Sequence, residues 1–326
     1  MKGTIMIPNH PENQAITRRD FTRLAAAGIA LGGAWSGRKT TASERGEYPI
    51  RLGGPVMEKY ASPEEWVAQV KKLGFSAAYC PVGADADDGT VKAYEKAAKD
   101  AGILIAEVGA WSNPIDRDEE KRKKALALCQ TQLALAERIG ARCSVNISGS
   151  LGEKWDGHHP DNLTEAAFDL VVETTRKIID AVKPQRTFYT LETMPWAYPD
   201  SVESYVRLMQ AIDRKAFAVH FDPANLICSP QRYYTNGAMI RECFEKLGPY
   251  IRSCHAKDIL MDQRFTVHLD EVRPGLGNLD YKAFLTEVSR LPDVPVMLEH
   301  LSTAEDYRLA ADHVRAVGKD LGLAFA

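Results

Sequence analysis

Four short stretches end an apolar run on a side chain that can bind a metal: Glu192 in TLETM, Asp222 in HFDPAN, His255 in SCHAKD and Glu299 in VMLEH. Pro223 follows Asp222 and has no N–H with which to continue a strand, so this acid belongs where a strand meets a loop. The four are separated by 30, 33 and 44 residues. Each interval is the length of one strand-helix unit, with extra loop in the last. Were the strands neighbours in a closed barrel, alternation along each would bring all four side chains to one mouth. Three unpaired carboxylates there would repel and raise one another's pKa, a conflict that a divalent cation removes. Oxygen-rich ligation with a single nitrogen favours Mn²⁺ or Mg²⁺, with Co²⁺ or Zn²⁺ as alternates. Ion pairs with Arg or Lys at a barrel end are the competing reading for any one of the four, but they do not require this spacing. Cys254 adjoins His255 and is expected to face outward, toward the helices, so no thiolate enters the set.

The elements that would carry these residues repeat one theme from about residue 47 onward: a β-rich run, a turn, then an amphipathic helix. Strands are expected in YPIRLGG, FSAAYCPV, ILIAEVGAW, ARCSVNISG, TFYTLETM, FAVHFDP, IRSCHAKD and VPVMLEHL. Helical periodicity marks PEEWVAQVKKL, TVKAYEKAAKDA, EEKRKKALALCQTQLALAERI, TEAAFDLVVETTRKIIDAV, SVESYVRLMQAI and AEDYRLAADHVRAVGKDL, with Thr164, Ser201 and Ser302 or Thr303 near helix starts. Strict alternation means a parallel sheet, and eight units in about 280 residues suit a single-domain (β/α)8 TIM barrel. An open dinucleotide-binding sheet would show G-x-G-x-x-G after its first strand, and RLGGPV lacks that spacing.

Composition narrows the function classes. The chain has 326 residues, 45% of them hydrophobic, ample for a packed core. The first 42 residues carry six basic and two acidic side chains, a charge of +4, so the net −3 leaves −7 on the rest. An acidic body is a poor partner for a phosphate backbone, and nucleic acid is not expected as a ligand. Six cysteines, at 80, 129, 143, 228, 243 and 254, show no C-x-x-C; buried thiols are expected rather than bridges. At the N-terminus, TRRDFTRL followed by AAAGIALGGAW resembles a twin-arginine export signal, with Arg18 and Arg19 as the pair and Phe21 at the expected offset. Thr22 departs from the usual leucine, and no A-x-A cleavage site follows. Residues 1–46 are thus read as export signal and linker, 47–326 as the barrel, and the mature protein as periplasmic. The apolar run is too short for stable membrane insertion.

On the four strand-tip motifs and the strand-helix order, residues 48 to 326 resemble the xylose-isomerase-like barrel family, which includes sugar isomerases, ketose 3-epimerases, hydroxypyruvate isomerase, inosose dehydratase and endonuclease IV. The resemblance implies that Glu192, Asp222, His255 and Glu299 ligate one divalent metal. It also implies that Glu192 and Glu299 are the catalytic acid/base pair, one on each face of a keto-sugar or related polyol. Proton removal beside a carbonyl gives an enediolate. Its reprotonation on the other face inverts the carbon, reprotonation at the former carbonyl carbon isomerises the sugar, and loss of a β-hydroxyl makes the enzyme a dehydratase or lyase. Several epimerases of the family carry histidine three positions after the metal-binding aspartate; this chain has Asn225, which cannot become a cation near neutral pH.

Other residues are candidates for holding substrate. Lys257 shares the direction of His255, with an ion pair to Asp258 or Glu299 as its alternative role. Trp111 and Trp196 follow strands three and five, where aromatic faces stack on sugar rings. The loop SLGEKWDGHHPDN brings His158 and His159 beside Trp155, and the segment after strand seven holds Arg264, His268 and Arg273, then PGLGN, a weak phosphate-loop signal. His220, two residues before Asp222, is expected inside as a hydrogen-bonded core residue. A non-catalytic sugar-binding barrel and an endonuclease-IV-like phosphodiesterase are the remaining readings; the latter needs several more strand-tip histidines. The expected partners are a small carbohydrate and further copies of the chain.

Overall fold

Among the described residues, eight short parallel strands, largely buried and largely apolar, alternate with eight α-helices. The computed structural model describes residues 48–326. The barrel strands are β1 (Arg51–Gly54), β2 (Ala77–Tyr79), β3 (Leu104–Gly109), β4 (Cys143–Asn146), β5 (Tyr189–Glu192), β6 (Phe217–Phe221), β7 (Ile251–Ala256) and β10 (Pro295–Leu298). They close in the order β1-β10-β7-β6-β5-β4-β3-β2, so the expected (β/α)8 barrel is the observed fold. The twin-arginine stretch lies outside the described residues.

The helices are α1 (Pro63–Lys72), α2 (Asp88–Asp100), α3 (Glu119–Ile139), α4 (Glu165–Val182), α5 (Val202–Ile212), α6 (Pro230–Leu247), α7 (Tyr281–Val288) and α8 (Ala304–Asp320). Each begins on a Ser, Thr or Asp whose side chain accepts an otherwise orphaned backbone N–H; Thr164, Ser201 and Thr303 start α4, α5 and α8. Their apolar faces pack on the outside of the barrel around Trp66, Leu133, Tyr205, Phe221 and Phe284. Inside it, Ala77, Ala106 and Met297 form a small plug. Gly53 makes room for that plug, since a Cβ there would stand 2.6 Å from Met297 Sδ and 2.5 Å from Ala77 O.

Two strands beyond the expected eight, β8 (Asp258–Met261) and β9 (Leu269–Val272), form an antiparallel hairpin on the connection after β7. The six cysteines are free thiols, with Cys129, Cys143, Cys243 and Cys254 buried. No helix among the described residues is long and apolar enough to cross a membrane.

Candidate metal centre at the barrel mouth

Strands β10, β7, β6 and β5 are consecutive in the barrel, and each delivers one ionisable group to its C-terminal end. Glu192 is the last residue of β5, Asp222 and Glu299 follow directly on β6 and β10, and His255 is the penultimate residue of β7. One donor atom from each lies within 4.8 Å of those of the other three. His255 Nδ1 is 2.7 Å from Glu299 Oε1, 3.1 Å from Glu192 Oε1 and 3.8 Å from Asp222 Oδ2. Cys254 is buried on the other parity of β7, in the apolar layer shared with the helices.

The proline after Asp222 has a structural purpose. With the strand stopped, Asp222 Oδ1 accepts the amides of Ala224 (2.9 Å) and Asn225 (3.2 Å), which turns Oδ2 toward the centre of the mouth. Thr193 clasps the same point, its hydroxyl donating to Asp222 O and accepting from Asp222 N. Asn225 donates through Nδ2 to Glu192 Oε1 at 3.0 Å and so steadies that carboxylate.

Lys257, 2% exposed, places Nζ 2.6 Å from Glu299 Oε1, 2.9 Å from Asp222 Oδ2 and 3.5 Å from Glu192 Oε1. Of its two expected ion-pair partners it meets Glu299. Asp258 instead accepts the amides of Gly275, Gly277 and Leu279, so the carboxylate of the chain itself fills the PGLGN turn and leaves no cradle there for a phosphate. Despite the proximity of Lys257, Asp222 Oδ2 and Glu299 Oε1 are buried without a well-aligned hydrogen bond. Two orphaned carboxylate oxygens facing an imidazole nitrogen and a third carboxylate are a donor set that fits a hard divalent cation.

Charge and burial act against each other here. Burial would raise Glu192 and Glu299, but Lys257 and His255 hold Glu192 well below the usual carboxylate range, and His255 holds Glu299 down. For Asp222 burial prevails over Lys257, and its carboxyl is pushed up to about 7. Burial disfavours the charged forms of His255 and Lys257, yet the surrounding carboxylates raise both well above their ordinary values. A cation ligated through His255 Nδ1 must displace the proton there, and below pH 7 it must also displace one from Asp222. Metal uptake should therefore release protons, about one more at pH 6 than at pH 8 because Asp222 titrates between them, with affinity rising as pH rises. Calorimetry in buffers of different ionisation enthalpy measures this; uptake without proton release would contradict the assignment of these ligands.

Beneath the centre lies a group that the sequence reading did not identify. Glu107, on β3 and 1% exposed, accepts from His255 Nε2 (3.2 Å), from His220 Nε2 (3.0 Å) and from the Ser253 hydroxyl. Burial alone would raise Glu107, but the two imidazoles outweigh it and keep the carboxyl ionised. Glu107, His220 and His255 lie close enough to be a second metal cluster. The carboxylate is already committed to three donors, and hydrogen bonding accounts for the group without a second ion. A lone acid inside the apolar run ILIAEVGA was the available signal.

Above the centre, a cavity of about 520 Å³ opens to solvent. Glu192, Glu299, Asn225 and Lys257 line it together with Trp111 and Trp196, as expected, and so do Tyr79, Trp155, Met194 and Tyr307. Trp111 folds back over the end of β3, its ring centroid 6.4 Å from that of His255, and Gly109 permits this because a Cβ would stand 2.5 Å from the indole Nε1. Three other residues expected to hold substrate, His159, His268 and Arg273, do not line the cavity. His159 caps the short helix Pro160–Leu163 by accepting from Asp161 N. His268 bonds Thr266 Oγ1 within the hairpin, and Arg273 turns to Pro274 O and toward Asp306. His300 does line the cavity, reaching Glu271 at 3.1 Å, and takes a left-handed conformation (φ 57°) beside Glu299.

Residues 67–317 match the family described as xylose isomerase-like TIM barrel. Solved structures share the fold. A xylose isomerase-like TIM barrel protein from Mycobacterium smegmatis in complex with magnesium is 18% identical, with a TM-score of 0.59 over 84% of this chain and 97% of that one. The probable 3-DHS dehydratase AsbF of Bacillus anthracis is 16% identical (TM-score 0.61; 82% and 98%). The D-psicose 3-epimerase of Clostridium cellulolyticum H10, solved with D-tagatose, is also 16% identical (0.59; 82% and 99%). No curated protein matches the chain by sequence.

Proposed function

Because the chain belongs to the xylose isomerase-like TIM barrel family, we propose that it is a divalent-metal-dependent epimerase or isomerase of a keto-sugar or related polyol. The observation that carries this reading is the placement of Glu192 and Glu299 on the two outer strands of the four that converge on one centre. A divalent cation, Mn²⁺ or Mg²⁺ by donor type, would polarise the substrate carbonyl and make the neighbouring C–H acidic. One glutamate removes that proton, breaking C–H and forming O–H on its carboxylate. The other, having first taken a proton from solvent, gives it to the enediolate from the opposite side and is left as a carboxylate. Lys257 Nζ, within 3 Å of the Glu299 and Asp222 carboxylates, stabilises developing negative charge on a substrate oxygen. The tryptophans give a pyranose or furanose ring apolar faces to stack on.

Elimination is the second reading, favoured by the same lysine, since a buried ammonium can donate a proton to a departing β-hydroxyl. The psicose epimerase and the probable dehydratase among the fold neighbours are consistent with either outcome. Incubating the protein with Mn²⁺, Mg²⁺ or Co²⁺ and a panel of keto-sugars, keto-glycosides and inososes tests the reading, with products resolved by NMR. An epimer or isomer supports it, a product short of one water moves the assignment to a lyase, and sugar bound but unchanged across the panel makes the barrel a binding protein.

The segment TRRDFTRL with AAAGIALGGAW supports export through the twin-arginine route. Replacing Arg18 and Arg19 by Lys should retain the protein in the cytoplasm on cell fractionation, and unchanged export would refute the route.

A further inference from the structure

An imidazole that ligates a metal has one nitrogen for the ion and carries its proton on the other, so something must decide which is which. At His255 the decision is built into the barrel. Nδ1 faces Glu299 and Glu192 at the mouth, and Nε2 faces Glu107 Oε2 on the side away from it. Glu107 stands on β3 and His255 on β7, diametrically opposite strands of the eight, so the contact spans the barrel interior. The carboxylate has little freedom to turn: its other oxygen is held by His220 Nε2 and the Ser253 hydroxyl, and the His220 ring packs edge-on against His255 with centroids 4.1 Å apart. All four side chains are sealed from solvent. A buried carboxylate with no Lys or Arg partner, satisfied by two imidazoles and a hydroxyl, is costly to keep as mere packing.

We propose that Glu107 is a positioning residue for the metal centre: by accepting the Nε2–H of His255 it commits Nδ1 to the mouth, with His220 and Ser253 fixing the carboxylate in place. The inference rests on the proposed metal site, and its test separates the two. Imidazole N–H resonances are recorded on ¹⁵N-histidine-labelled protein, metal-free and Mg²⁺-loaded, and Mn²⁺ affinity is measured by calorimetry, for the natural protein, Glu107→Gln and Glu107→Asp. The natural protein should show two downfield, slowly exchanging Nε2–H resonances, from His220 and His255, with or without metal. Glu107→Gln should lose the His255 resonance and bind Mn²⁺ about 10- to 100-fold more weakly. Glu107→Asp keeps the charge but withdraws the oxygens by one methylene, and should show a smaller loss in the same direction; it carries the test if the Gln variant does not fold. A His255 resonance that persists in the variants, or Mn²⁺ affinity unchanged within about twofold alongside a simple loss of stability to denaturant, would overturn the role. Because the resonances are read without metal, they decide whether Glu107 orients His255 separately from whether the site binds an ion; a natural protein that binds no ion would remove the functional reading and the metal-centre part of this role, and leave the orientation of His255 standing.

Discussion

Glu299→Gln should lower turnover by about 10³-fold while the protein remains folded and still takes up metal, more weakly than before. The amide keeps the shape of the side chain and one acceptor oxygen, so its contact with His255 Nδ1, 2.7 Å in the natural protein, survives in form. What it loses is the ability to take a proton from carbon and the negative charge that balances His255 and Lys257. Gln at this position cannot act as a base at any pH, so raising the pH should not restore the rate. Glu192→Gln should fall by a similar factor, and the double variant by little more than the worse single one, because the two act in one proton transfer sequence. Rates within a few-fold of the natural protein in either single variant would remove that residue from the acid/base pair.

Stripping divalent ions with a chelator should abolish activity completely, and Mn²⁺ or Mg²⁺ should restore it. The physical reason lies in the balance of the mouth. Without the ion, His255 and Lys257 are the buried cations that face Glu192, Asp222 and Glu299, with the more exposed His300 3.6 Å from Glu299, and two carboxylate oxygens lack an aligned donor. An ion that binds the folded barrel alone also stabilises it, by about 2.7 kcal/mol at a hundredfold excess over its dissociation constant. The thermal midpoint should therefore rise with metal concentration. Full activity after exhaustive chelation, or a midpoint indifferent to Mn²⁺ and Mg²⁺, would refute the metal centre.

The barrel and its rim differ in how far sequence exposes them. All eight barrel strands were legible because each is a short, largely apolar run closed by a turn, and four carried a candidate metal ligand at or beside the tip, where position along the chain determines direction. Pro223 located Asp222 within a residue. Glu107 escaped because its role depends on β7, on the far side of the closed barrel, and no local pattern records that distance. The hairpin β8–β9 read as loop, since its exposed residues, Phe265 and Val267 among them, mask strand alternation. His159, His268 and Arg273 stand away from the cavity for a related reason: they sit on connections, where the turn and not the sequence interval sets direction. Trp111 and Trp196 also follow strands but lie within a few residues of the tips, too close to be carried away from the mouth.

Proton exchange with solvent tests the central reading most directly. Metal-loaded protein is incubated in D₂O with the keto-sugars and inososes of the panel, and deuterium at the carbon beside the carbonyl is followed by NMR, with Glu299→Gln as control. The expected result is deuterium incorporation that requires metal and disappears in the variant, whichever product forms. Conversion of a substrate by the natural protein with no deuterium entering from solvent, or incorporation that continues undiminished in Glu299→Gln, would contradict proton transfer through these glutamates.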